Sequence, residues 1–215
     1  MPGLFVTFEG GEGSGKSTQI TRLAARLKAL GRDPFVTREP GGTPLAESIR
    51  GLLLDATSAP GAMTEALLMV AARSDLVSTS IRPALKAGRV VLCDRYTDST
   101  LAYQGAGRGL ESATLVSWNR AATGGLTPDL TLLFDVTPEL GLARRARAAG
   151  TANRLDLEPE AFHDRVRARY LELAELEPER FIVLDAALSP EQLETAVWAA
   201  VSLRLAPAAP ARTVV

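Results

Sequence analysis

The stretch Gly10-Gly11-Glu12-Gly13-Ser14-Gly15-Lys16-Ser17 constrains this 215-residue chain more than any other. It follows a short apolar run at 4–8. After it, Ile20, Leu23, Ala24, Leu27 and Leu30 recur at helical spacing, closed by Gly31. A strand, a glycine-rich turn and a helix in that order fit G-x-x-x-x-G-K-[ST] in both of the contexts the pattern needs. Such a turn lets successive backbone N–H groups face phosphate oxygens, and the helix N-terminus adds partial positive charge. The lysine then reaches the terminal phosphates, and the serine hydroxyl meets the magnesium that accompanies them.

Further short runs rich in Val, Leu and Phe, at 35–37, 90–93, 130–136 and 181–184, alternate with helical patterns. They read as strands buried on both faces, which predicts an α/β fold with a mostly parallel sheet of about five strands and helices on both sides. Thr137-Pro138-Glu139 and Ser189-Pro190-Glu191-Gln192 carry helix-start signals, the second a capping box with proline at the first helical position. The length suits one domain over residues 1–205. The Ala/Pro end at 206–215 reads as a frayed tail. Residues 144–158 hold Arg144, Arg145, Arg147 and Arg154 without a core pattern, and read as a mobile, positively charged flap or lid.

Charge balance, 24 basic against 25 acidic side chains, gives no sign of a nucleic-acid partner, so an anionic ligand must meet a local basic site. No apolar stretch is long enough for a spanning helix. A single cysteine, Cys93, rules out an internal disulfide framework, and the start of the chain lacks a secretory pattern, so a cytoplasmic, membrane-free setting is expected. The only histidine, His163, argues against a Ser-His-Asp centre and is expected at the surface or an edge.

Asp94 ends the third apolar run beside the glycine loop, as a magnesium-organising acid or as a helix cap. Arg95, next to it, suits a second phosphate in the same cleft. An Asn-Lys-x-Asp guanine motif is absent.

Phe8-Glu9 leading into the loop and Thr18, then Thr37-Arg38-Glu39-Pro40-Gly41-Gly42-Thr43, resemble thymidylate kinases. So do Asp94-Arg95-Tyr96 with Ser99 and Ala102-Tyr103-Gln104-Gly105, and finally Pro128-Asp129-Leu130. The resemblance implies a P-loop NTPase fold, transfer of the ATP γ-phosphoryl group to dTMP with Mg2+, and a homodimer. It implies ATP along Gly10, Gly11, Glu12, Gly13, Ser14, Gly15, Lys16, Ser17 and Thr18, with Arg144 against the adenine, and metal at Ser17 and Asp94. It places the acceptor at Glu12, Arg50, Met69, Arg73, Arg95, Ser99, Tyr103 and Gln104. Within these, Glu12 faces the 3′-hydroxyl, Arg50 and Arg95 hold the phosphate, and Arg73 donates to thymine O4. Catalysis falls to Lys16, Arg95, Arg147 and Arg154. Gly13 stands where part of the family has an arginine, which moves that charge to the lid. Met69 stands where the family usually has phenylalanine. Two rival readings remain: a P-loop kinase for another nucleoside monophosphate, and a nucleotide-dependent switch ATPase.

Overall fold

The computed structural model describes residues 3–55, 57, 60–147 and 154–205. Part of the expected lid, 148–153, and the tail 206–215 lie outside the described residues. Five strands, β1 (Leu4–Glu9), β2 (Phe35–Arg38), β3 (Val90–Asp94), β4 (Leu130–Asp135) and β5 (Phe181–Asp185), pair in parallel in the order β2-β3-β1-β4-β5. The expected strands are all present. The first, second, third and fifth run one residue further, to Glu9, Arg38, Asp94 and Asp185, and the fourth stops one residue earlier, at Asp135.

Residues Phe5 to Glu9 of β1 are all buried, as are Leu130 to Phe134 of β4, because helices cover both faces of the sheet. Alternation divides the strand: Val6 and Phe8 join one core with Ile20, Leu23 and Leu27, while Phe5 joins another with Leu76, Ile81, Val91 and Tyr96. The first of these cores is supplied by α1 (Lys16–Ala29) and α9 (Pro190–Ser202). Helix α1 ends as expected, with Gly31 at φ 72° and the Arg32 N–H returning to the Leu27 carbonyl at 3.0 Å. Ser189 and Gln192 close the capping box of α9 in both directions.

The remaining helices are α2 (Pro44–Leu54), α3 (Ala62–Leu76), α4 (Arg82–Lys86), the short α5 (Thr97–Thr100), α6 (Ser112–Thr123), α7 (Pro138–Arg147) and α8 (Glu160–Leu176); α4 packs on β3, α8 on β4 and β5, α2 on α3 and α7 on α8. A π-helical stretch, Leu101–Gly107, continues α5 and carries Tyr103 and Gln104, a widening of the kind that recurs at functional sites. His163 differs from expectation: only 5% exposed, it lies within α8 with its ring edge-on to Phe162. Helix α8 turns that position toward Glu12 of the glycine loop and Leu142, a detail that its flanking Phe162 and Asp164 could not decide.

Candidate active site

The strand order reverses at β1, whose neighbours β3 and β4 both arrive through crossovers, so a crevice opens at the carboxyl edge of the sheet. Register brings the ends of three strands there: Phe8 pairs with Asp94, and Arg38 pairs with Asp94 from the other side. The glycine loop therefore lies beside Asp94, Arg95 and Glu39.

Within the loop, Lys16 is buried, and its Nζ donates to the carbonyls of Gly10 (3.1 Å) and Gly11 (2.8 Å) and to Ser14 Oγ (3.1 Å). Burial, reinforced by Arg95, pushes its ammonium down to about 8. The Ser17 hydroxyl donates to Asp94 Oδ2 at 3.0 Å, while Asp94 Oδ1 is buried without a partner. Asp94 is thus the last residue of β3 facing the loop serine. The helix-cap alternative fails, because Tyr96 holds the cap position of α5. Gly13 lies at φ 64°, and a Cβ there would collide with the Gly141 carbonyl of α7, so the close approach of loop and helix excludes any side chain.

Arg95 is the one non-glycine residue among those described with positive φ, at 71°. An arginine there stores roughly 1–3 kcal/mol of strain, held by its N–H to the Phe8 carbonyl at 3.0 Å. That conformation turns its guanidinium back over the loop, onto the Gly10 carbonyl (3.0 Å) and Glu12 Oε1 (2.6 Å), with its centre 4.8 Å above the Tyr103 ring. The Tyr103 hydroxyl donates to the same Glu12 oxygen at 3.0 Å. Burial raises the Glu12 carboxyl, but Arg95 and then Lys16 outweigh it and hold it below its ordinary value.

Two cavities open here. One is lined by Gly13 to Thr18 with Asp94, Arg144 and Arg145; the other by Leu53, Glu65, Met69, Ser99, Tyr103 and Gln104. Glu12, Glu39, Arg50 and Arg95 line both. Arg50 donates to the Pro40 carbonyl at 2.8 Å. Burial, and then the neighbouring Arg38, depress its affinity for a proton.

Several expected residues stand elsewhere than expected. Arg73 does not line the second cavity. Fully buried, it donates to Glu39 (2.7 Å), Thr100 (2.8 Å), Asn119 (2.6 Å) and the Tyr96 carbonyl (3.0 Å), so its fork is filled by the protein rather than offered to a base. Ser99 lines the cavity, but its hydroxyl donates to Glu9 Oε2 at 2.6 Å, which leaves no hydrogen for a base edge. Helix α7 continues through 144–147 where a flap was expected. On it Arg144 and Arg145 line the loop cavity, Arg145 paired with Asp156 at 3.1 Å. Arg147, about 200° further round that helix, is exposed. Arg154 reaches the other cavity, where it pairs with Glu65 and the Leu53 carbonyl.

Three carboxylates to which the sequence assigned no role stand in the site. Glu9 ends β1, is buried, and accepts from the Tyr96 N–H (2.7 Å), Ser99 (2.6 Å) and Tyr170 (2.9 Å). Burial, and then Asp98, push it up to about 7. Glu39 and Glu65 are buried beside Arg73 and Gln104. A signal existed for Glu65, which precedes Met69 and Arg73 at spacings of four on one helix face.

A parallel sheet with a phosphate-binding loop, and a second cavity sharing the loop's basic wall, define a P-loop kinase of the nucleoside-monophosphate type. The comparisons narrow the class. A family model described as thymidylate kinase matches residues 8–197. A thymidylate kinase of Thermomicrobium roseum is 59% identical over 92% of this chain and 94% of its own. One of Deinococcus radiodurans is 53% identical over 94% and 98%. A crystal structure of thymidylate kinase from Ehrlichia chaffeensis superimposes with a TM-score of 0.77 at 29% identity, over 95% of this chain and all of that one. The chain belongs to the thymidylate kinase family.

Proposed function

We propose that the two joined cavities carry out phosphorylation of dTMP to dTDP with ATP as donor. The shared wall carries this reading: Glu12, Glu39, Arg50 and Arg95 face both cavities, so two phosphorylated ligands would meet across two guanidinium groups. ATP lies along residues 10–18, its terminal phosphates at Lys16. Arg144, whose NH1 donates to the Ala186 carbonyl at 2.6 Å, flanks the adenine.

The acceptor phosphate lies between Arg50 and Arg95, its sugar against Glu12 and Tyr103, and its base between Met69 and Gln104. An already ionised phosphate oxygen of dTMP attacks the γ-phosphorus, and the bridging oxygen leaves with ADP, so no general base is required. Catalysis is then positioning and neutralisation of the spreading charge. Lys16, Arg95 and Arg145 supply that neutralisation. Arg147, solvent-facing, and Arg154, paired with Glu65, contribute less than the sequence led us to expect.

Ser17 and Asp94 would hold Mg2+. The unpartnered Asp94 Oδ1 suits a cation bound through one or two protein oxygens and substrate phosphates, and the ion would neutralise charge on the donor. Residues 1–205 act as one domain with a lid at 144–158, working in the cytoplasm. No described helix is long and apolar enough to cross a membrane. Exposed Leu45 and Leu52 of α2, Met63 and Leu67 of α3 and Val116 of α6 lie on adjacent helices and suit a second copy of the chain. Sedimentation equilibrium tests that pairing, and a monomer at micromolar concentration refutes it.

Coupled ADP release with dTMP, dUMP, dCMP, dGMP and AMP, beside a control without acceptor, tests the reaction. Turnover that depends on dTMP supports it. Equal release without acceptor overturns it in favour of a hydrolase or switch.

A further inference from the structure

Gln104 carries two different chemical faces, an NH2 group that donates and a carbonyl that accepts. The residue lines the acceptor cavity; its Nε2 donates to Glu65 Oε1 at 2.7 Å, while its Oε1 is buried and has no partner. Glu65, only 2% exposed, is itself fixed: Arg154 holds Oε2, and Arg108 approaches both oxygens at 3.3 and 3.4 Å. Turning the amide over would press its carbonyl against the Glu65 carboxylate, acceptor against acceptor. The carboxylate therefore dictates which end of the amide is left for a ligand.

We propose that Glu65 is a specificity-determining positioning residue, which locks the Gln104 amide with its carbonyl toward the base and so selects bases carrying a ring N3–H over those that lack it. Thymine and uracil have that hydrogen. Cytosine presents a bare N3 acceptor, which would leave two acceptors facing each other and a buried carbonyl unsatisfied. The inference rests on Gln104 reading the base. Burial alone would raise the Glu65 carboxyl, but Gln104, then Arg154 and Arg108, bring it below its ordinary value, so it stays an acceptor at neutral pH.

Glu65→Gln is isosteric and removes only the charge: Arg108 keeps Glu158 at 2.7 Å, and Arg154 loses its carboxylate partner but keeps the Leu53 carbonyl at 3.3 Å. A glutamine at 65 accepts or donates, which frees Gln104 to turn. The experiment measures kcat/KM for dTMP, dUMP and dCMP in the wild type, Glu65→Gln and Gln104→Leu. The ratio of dTMP to dCMP should narrow about tenfold or more in Glu65→Gln, through KM more than kcat, with the ratio of dTMP to dUMP retained. A loss shared equally by all three acceptors would show a merely structural role and overturn the proposal. If Gln104→Leu loses the discrimination while Glu65→Gln keeps it, Glu65 does not set the amide, although Gln104 still reads the base. If neither variant changes the ratio, the base-reading assignment fails and this inference with it.

Discussion

Arg73 on α3 and Glu39 beyond β2 form an ion pair, with Nε donating to Oε2 at 2.7 Å and both side chains almost entirely inaccessible. The same guanidinium ties down Thr100, Asn119 and the Tyr96 carbonyl, so one side chain joins α3, the β3–α5 turn and α6 behind the acceptor cavity. Arg73→Met leaves a buried carboxylate without its cation, and should destabilise the fold by about 3–5 kcal/mol. Urea denaturation measures this, and a change below about 1 kcal/mol would mean that the pair contributes nothing net.

In the proposed reaction Lys16 meets ATP as an ammonium ion. Because burial brings its ammonium down to about 8 in the free protein, kcat/KM for ATP should fall about tenfold per pH unit above that value, while Lys16→Ala abolishes transfer throughout. A flat profile to about pH 9.5 refutes the assignment.

Among the lid arginines, the helical phase of α7 makes the difference. Arg145→Ala should lower kcat by about 10²–10⁴ with little change in dTMP binding, whereas Arg147→Ala stays within about threefold of wild type. Steady-state kinetics of the two variants separates them, and the reverse order would return the catalytic role to Arg147.

Gly13 admits no side chain. Gly13→Ala combines a left-handed φ with a clash against the Gly141 carbonyl, so it should displace the loop from α7 and weaken ATP binding at least tenfold. Calorimetric titration with ATP reads the loss; wild-type affinity would show that loop and helix move apart freely.

Glu9 gives the fold a pH dependence. Its carboxyl in the folded state, at about 7, lies above its ordinary 4.5, so the folded protein binds this proton more tightly than the unfolded chain. The contribution is complete below about pH 4.5 and is lost as pH rises through about 7. Glu9→Gln stays neutral throughout. Its melting temperature relative to wild type should therefore rise between about pH 5 and pH 8, by an amount on the order of a few kcal/mol in stability. Parallel curves for the two proteins would show that Glu9 is already ionised at pH 5.

What the sequence determined by itself were the features that depend on near neighbours. The glycine loop, Lys16 and Ser17 were legible because strand, turn and helix succeed one another in a fixed order. The five strands were legible because both their faces are buried and their apolar runs are continuous. Asp94 and Arg95 were legible because they close such a run. Tertiary structure decided whatever depends on contacts between distant segments. Arg73 looked like a base reader until Glu39, Thr100, Asn119 and Tyr96 surrounded it, and Ser99 lost its hydrogen to Glu9, 90 positions away. That Arg145 lines the loop cavity and Arg147 faces solvent followed from where α7 lies against the loop. Which end of Gln104 meets a ligand followed from Glu65, on another helix. Periodicity records which face of an element is buried, but the partner that fills a guanidinium or turns an amide is fixed only when the chain brings remote polar groups within hydrogen-bonding distance.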